Sequence, residues 1–250
     1  MSYASLWAKN NLTKPNARLY IEKFGHLLKW HNCKENIMDA GCADGSLTSE
    51  VLYPYMKNHV QKILAVDKLD GMIDHAKKHN KIEEIDYQVL DVMDQNKTKG
   101  LANQFRHIFA FHLAQWIPDT KTLLTGFHKM LKPNGQIFEK KWTKYIPPEP
   151  VFANYTDNPT GYFENLLNNI GFELDLCHYE KQKYVIEHFG ELLRAGLVMY
   201  EHLERIPKQL QEEYLQEHIR NSRELCTYLG EPDTYEVIYE PLMLIATKKV

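Results

Sequence analysis

The sequence predicts an α/β protein: a doubly wound, mostly parallel seven-stranded sheet with an antiparallel edge strand, an N-terminal helical arm and a helical cap. Three observations carry that prediction. Short apolar runs rich in β-branched and aromatic residues alternate with stretches of helical period, the pattern of a sheet covered on both faces. A glycine-containing turn, "DAGCADG", follows the first run at Asp39–Gly45. An aspartate also closes each of the first three runs, at Asp39, Asp67 and Asp91, and the carboxyl ends of strands are where open α/β sheets bind ligands.

Taken in order, strands are expected at Ile37–Ala40, Lys62–Asp67, Asp86–Asp91, His107–Phe111 and Gly135–Lys141. Helices are expected between them at Leu47–Met56, Gly71–His79 and Thr120–Leu131, the last with Asp119 as its N-cap and "LKPNG" as its stop. After Lys141 a proline- and asparagine-rich stretch reads as loop, and "GYFENLLNNIGF" reads as a helix. Phe172–Ile186 and Tyr235–Thr247 read as two long strands pairing antiparallel at one edge. Between them, helical stretches run over His188–Leu203 and Lys208–Tyr228, parted by Pro207. One domain is expected, its core at about 31–186 and 235–250 and its cap drawn from 1–30 and 187–234.

With 250 residues, of which 44% are hydrophobic and 25% charged, the chain can bury a sizeable core. A formal net charge of -3 argues against a polyanion-binding surface, so a nucleic-acid partner is not expected. The first twenty residues lack the apolar core of a signal peptide, and no uninterrupted apolar run is long enough for a membrane span. Four cysteines without paired spacing fit reduced thiols, and a cytoplasmic location with no membrane partner is the expectation.

The turn after the first strand has the form D-x-G-x-G-x-G with Ala43 at the middle glycine. Gly41 lets the chain turn sharply and a ligand lie against it, while Ala43 and Gly45 let the next helix pack close. Cys42 fills a small-residue slot. The turn is neither G-x-G-x-x-G nor a phosphate-cradling loop ending in Gly-Lys, which disfavours pyrophosphate and NAD-dependent redox chemistry. Asp67 is placed to accept hydrogen bonds from both ribose hydroxyls, and Asp91, with Val92 beside it, to receive an adenine amino group. A nucleoside without pyrophosphate, on an acidic loop, points to S-adenosylmethionine, with Asp39 acting on its ammonium directly or through water.

Those residues resemble the Rossmann-like class I methyltransferases: "DAGCADG", "AVDKLDGM", "LDV", "IFAFHLAQW" and "MLKPNG" stand as successive motifs. Within that superfamily "DAGCADGSLT", "HLAQWIPD" and "YEPLMLIATKK" are similar to the insect juvenile hormone acid methyltransferase group. The resemblance implies a metal-independent O-methyltransferase with a cofactor surface of Asp39, Gly41, Cys42, Ala43, Gly45, Asp67, Lys68, Met72, Asp91, Val92 and Phe111. It also implies a small hydrophobic acceptor between the strand ends and the cap, touched by Trp116 and by an arm residue. Thr13 stands at the arm position where that group has glutamine, and the segment before "LLNNIGF" is shorter here.

At the end of the fourth strand His112, Gln115 and Trp116 are the catalytic candidates: base or acceptor of a hydrogen bond, polar orienter and apolar wall. Phe189, Leu193 and Leu197, at near-helical spacing in the cap, are expected to line the acceptor side. A carboxylate arrives ionised and needs only orientation, whereas a phenol profits from a base such as histidine. His112 and the two departures tilt the expected acceptor toward a small phenol, with a terpenoid carboxylic acid as the alternative. A cofactor-binding protein without transfer activity is the reading from another class.

Overall fold

The computed structural model describes residues 3–9, 13–117, 119–142, 158–197, 203, 206–239 and 241–250. Among the described residues, ten strands fall into two sheets. The seven-stranded sheet has the order β3-β2-β1-β4-β5-β10-β6, with β1 at Glu35–Ala40, β2 at Val60–Asp67, β3 at Ile85–Val89, β4 at Phe105–Phe111, β5 at Leu131–Trp142, β6 at Phe172–Tyr179 and β10 at Pro241–Lys248. Strands β1 to β5 pair in parallel, and β10 runs antiparallel to both β5 and β6. The antiparallel strand is therefore the second from that edge. Strand order reverses between β1 and β4, which opens a crevice at their carboxyl ends.

Burial follows the alternation of the strands. One face packs Ile37, Ile63, Ala65, Phe109, Phe111, Phe138, Met243 and Ile245 against helix α2 (Thr13–Phe24) and the helices after β1 and β2. The other packs Met38, Val66, Ile108, Ala110, Ile137 and Leu244 against α6 (Thr120–Met130) and α7 (Pro159–Ile170). Asp119 caps α6, its carboxylate accepting from the Thr122 amide at 2.9 Å.

Several elements differ from the expectations. The helix after β1 opens as a π-helical stretch over Thr48–Leu52 and tightens only at α3 (Tyr53–Met56), where Pro54 lacks the N–H an α-helical ladder would use. Strand β5 begins at Leu131 rather than Gly135, because Lys132–Gly135 bulges between the register pairs Phe105–Leu131 and His107–Gln136. Strand β3 ends at Val89, leaving Asp91 two residues beyond it.

The two long strands each divide. Their outer halves, β7 (Gln182–Ile186) and β9 (Tyr235–Tyr239), leave the main sheet and form a small antiparallel sheet with β8 (Thr227–Tyr228). Pro241, which has no amide to donate, opens β10 at the point of division, and the Glu180 amide reaches the Pro241 carbonyl at 3.4 Å. The last cap helix consequently stops at Glu224 instead of Tyr228, since Thr227 and Tyr228 belong to β8. Together with α8 (Phe189–Leu197), the small sheet encloses a third core of Ile186, Phe189, Leu193, Ile219 and Val237. Helix α1 (Tyr3–Lys9) contacts both α8 and α4 (Asp70–His79), so the arm bridges cap and sheet layer. No described helix is long and apolar enough to cross a membrane.

Candidate active site

The glycine turn is held from the β2 side. Gly41 and Cys42 both donate to the Val66 carbonyl, at 2.8 and 2.9 Å, and the Ala43 amide donates to Asp67 Oδ2 at 3.0 Å. Gly41, Ala43 and Gly45 all have positive φ, at 79°, 48° and 75°. A side chain at Gly41 would stand 2.9 Å from Leu113 Cδ1, so the segment after β4 presses directly on this glycine. Gly45 is hemmed in more tightly, since a Cβ there would meet Ala76 and Tyr87, both at 2.7 Å. Helix packing and loop shape thus set two of the glycine positions. Cys42 is buried in the apolar layer, where desolvation first and the neighbouring aspartates second raise its thiol well above the ordinary range. Its side chain packs in the core cluster of the sheet face that α2 covers.

Three carboxylates crowd this end. Asp39 is buried, accepts from the Thr48 hydroxyl, and is pushed by burial up to about 7, with Asp67 adding to the rise and Thr48 opposing it. Burial also raises Asp67, which accepts from the Leu69 amide at 3.0 Å in addition to Ala43, and it raises buried Asp44. A buried carboxyl held half-neutral by burial is a receptor for positive charge, because a cation placed beside it returns it to the ionised form. Lys68 is exposed, and Met72 is buried in the first turn of α4. Asp91 is exposed and accepts from the Met93 amide at 2.9 Å, while Val92 beside it is buried. Phe111 stacks into the sheet layer with Phe109 and Phe138.

Across the crevice, His112 leaves β4 in the left-handed region with φ 59°, and its amide donates to the Lys140 carbonyl at 2.7 Å. Gln115 is buried in the tight turn Ala114–Trp116, within hydrogen-bonding reach of the His112 ring, and Trp116 is half-buried in the same turn. Burial holds the His112 imidazole well below its usual value, and Lys140 pushes the same way. The cap candidates fall elsewhere: Phe189 and Leu193 turn into the third core, where Phe189 meets the Tyr235 ring at 5.0 Å. Their burial is accounted for by packing within the cap. Thr13 opens α2, but its side chain and that of Leu197 lie outside the described residues.

Sequence reasoning missed the residues that complete this side. Register aligns Phe111, Lys140, Met243 and His178 in one row at the carboxyl end of the sheet. Lys140 is wholly buried, its Nζ 3.5 Å from His112 Nε2 and 4.6 Å from the centre of the Tyr20 ring on α2. The Tyr20 hydroxyl donates to Glu180 at 2.8 Å and accepts from Gln182 at 3.0 Å. Burial alone would raise Glu180, but His178, Tyr20 and Lys23 outweigh it and bring the carboxyl down to about 2. Burial likewise lowers the Lys140 ammonium to about 7, with Glu180 opposing. A signal was available: Glu139 and Lys140 are consecutive charges in a strand covered on both faces, so each must bury its charge.

Comparison with known proteins agrees with this geometry. A family model described as a methyltransferase domain matches residues 12–193. The juvenile hormone acid O-methyltransferase of Bombyx mori is 26% identical over 90% of this chain and 87% of its own length, and that of Drosophila melanogaster 24% identical over 98% and 91%. Among solved structures, phosphoethanolamine N-methyltransferase 2 of Haemonchus contortus, bound to S-adenosyl-L-methionine, superposes with TM-score 0.57 at 18% identity, covering 99% of this chain and 56% of that one. The YcgJ protein of Bacillus subtilis superposes with TM-score 0.58 at 14% identity, over 92% and 99%. The chain belongs to the methyltransferase domain family.

Proposed function

We propose that the protein transfers a methyl group to a carboxylate oxygen of a small hydrophobic acid, forming a methyl ester. The observation that carries this reading is the set of polar groups around the end of β4: a neutral buried imidazole, an amide and a buried amine, His112, Gln115 and Lys140. Such a set can surround an anion with donors. His112, held well below its usual value, is a poor base for a phenol of pKa about 10, and Lys140 can take no proton while it is charged; a carboxylate needs no base. The two relatives matched over most of their length are by name acid O-methyltransferases, which supports the same choice.

In this reading Asp67 accepts from the ribose hydroxyls, Asp91 and Val92 meet the base, and Asp39 faces the ammonium, with the turn at Gly41 against the donor. Bound there, S-adenosylmethionine supplies an electrophilic methyl group on a cationic sulfur. The acceptor oxygen attacks with no proton to remove, so the chain's task is to orient it and exclude water; good alignment can contribute about 7–11 kcal/mol. Gln115 and His112 hold the carboxylate, and Trp116 is the apolar wall. The cap and arm cover the acceptor. We place the protein in the cytoplasm, where its four free thiols remain reduced.

Incubation with labelled methyl donor and a panel of medium-chain alkanoic acid, terpenoid acid and matched alkylphenol tests the proposal. The expected product is a base-labile methyl ester from an acid. Methyl ether from the phenol alone would overturn it.

A further inference from the structure

Lys140 stands between Phe111 and Met243 in the strand register, where a methionine of similar length would carry no charge to bury. The ammonium nevertheless lies in the apolar layer, against the Tyr20 ring and facing Nε2 of His112. An ammonium has protons to give and no lone pair, so the ring nitrogen facing it must present its own lone pair, and the ring proton then resides on Nδ1. The same lysine takes the His112 amide on its carbonyl at 2.7 Å, so backbone and side chain fix the imidazole together.

From this arrangement we infer that Lys140 is a positioning residue that commits His112 to donating a hydrogen bond from Nδ1, so that the site selects an acceptor oxygen that arrives already ionised. The inference rests on the carboxyl reading above and gives its selectivity a physical origin. A histidine locked as a donor steadies one carboxylate oxygen while the other attacks. A phenol would need the opposite, a free basic nitrogen.

The lysine titrates within the working range. Among the described residues, the groups facing it are His112 after β4, Tyr20 from α2 and, through Tyr20, Glu180, with Lys23 of α2 and His178 of β6 on that carboxylate's far side. Burial brings the Lys140 ammonium to about 7, so it is charged below that pH and loses its proton above it. A carboxylic acid is fully ionised throughout, and with saturating donor holding Asp39 ionised, Lys140 sets the slope: acid methylation should fall as pH rises past 7. Phenol methylation would rise instead.

Ring nitrogen NMR on histidine-labelled protein reads the tautomer directly, with His112→Gln assigning the signal. The expected result is an Nδ1–H ring in the wild type near pH 6 and loss of that preference in Lys140→Met. In parallel, Lys140→Met should lower kcat/KM for a medium-chain acid at least tenfold and flatten its pH profile, Lys140→Arg should restore most of it, and binding of S-adenosylhomocysteine should hold steady in both. An Nε2–H ring in the wild type, or a Lys140→Met enzyme with wild-type acid rate and pH slope, overturns the inference. Because the tautomer needs no acceptor, a wild-type enzyme that methylates no acid overturns the carboxyl reading separately.

Discussion

Replacing Asp39 with asparagine should stabilise the protein and weaken its hold on the donor. Asp39 is 2% exposed, and burial carries its carboxyl from an ordinary 3.8 to about 7. The folded form therefore keeps a proton that the unfolded chain releases, and wild-type stability falls as pH climbs through that interval. A carboxyl moved this far carries on the order of 4 kcal/mol of unfavourable ionisation above pH 7, about 3 kcal/mol of it developing between pH 5 and pH 8. Asparagine keeps the shape and can still meet the Thr48 hydroxyl, but it does not ionise. Urea unfolding followed by tryptophan fluorescence should show Asp39→Asn ahead of wild type at pH 8 by a few kcal/mol, the gap shrinking toward pH 5. Calorimetry with S-adenosylmethionine should show at least about tenfold weaker binding, since the variant offers the cation no charge. A gap independent of pH, or undiminished donor affinity, would refute the idea that this carboxylate is kept at a stability cost for the sake of the cation.

Gly45→Ala should cost about 2–4 kcal/mol in urea, because φ is 75° and the new methyl would stand 2.7 Å from both Ala76 and Tyr87. Asp67→Ala removes the acceptor of the Ala43 and Leu69 amides, and the donor's dissociation constant should rise at least about tenfold by calorimetry. Glu35→Gln, at the opposite end of the sheet, strips the buried charge that meets Arg106 at 3.3 Å and Lys132 at 2.8 Å and should cost about 3 kcal/mol. Lys132 and Arg106 outweigh burial and lower the Glu35 carboxyl, so that cost is present above pH 4.5 and fades as acid titrates the folded carboxylate, which denaturation at two pH values can check.

The strand ends and glycine turn of the candidate cofactor half could be read locally because their residues lie within one turn of a strand end. Asp39, Gly41 and Gly45 sit in seven consecutive positions, and Asp67 ends the next strand, so local motif and strand assignment together suffice. The acceptor half depends on pairings between distant segments. Tyr20, Lys140 and Glu180 are brought together only because β10 enters the sheet between β5 and β6, and nothing in a local pattern states where the last strand will insert. The same insertion explains the two divided strands: alternation continues through Glu180 and Lys181, but Pro241 starts a new ladder and releases the outer halves to the cap. The cap stripe of Phe189 and Leu193 was visible as a stripe, yet periodicity does not say which surface it covers, and a small sheet invisible in the sequence took it.

The proposed reaction gives the charge layout a reason. A cationic donor and an anionic acceptor combine into a neutral ester and a neutral thioether, so charge is lost on the way to the transition state, and water, which stabilises separated ions, opposes the step. A site for such a reaction should hold each ion with counter-charges fixed in dry surroundings and at opposite sides of the methyl group. Asp39 and Asp67 crowd the ends of β1 and β2, and Lys140 stands at the end of β5 beside His112, with the switch between β1 and β4 separating the two sets. Each set is buried where burial raises its free energy when the site is empty: the aspartates rise, the lysine falls. Donor and acceptor thus relieve opposite strains on opposite sides of one crevice, and binding either ion favours the charged state of the groups that face it.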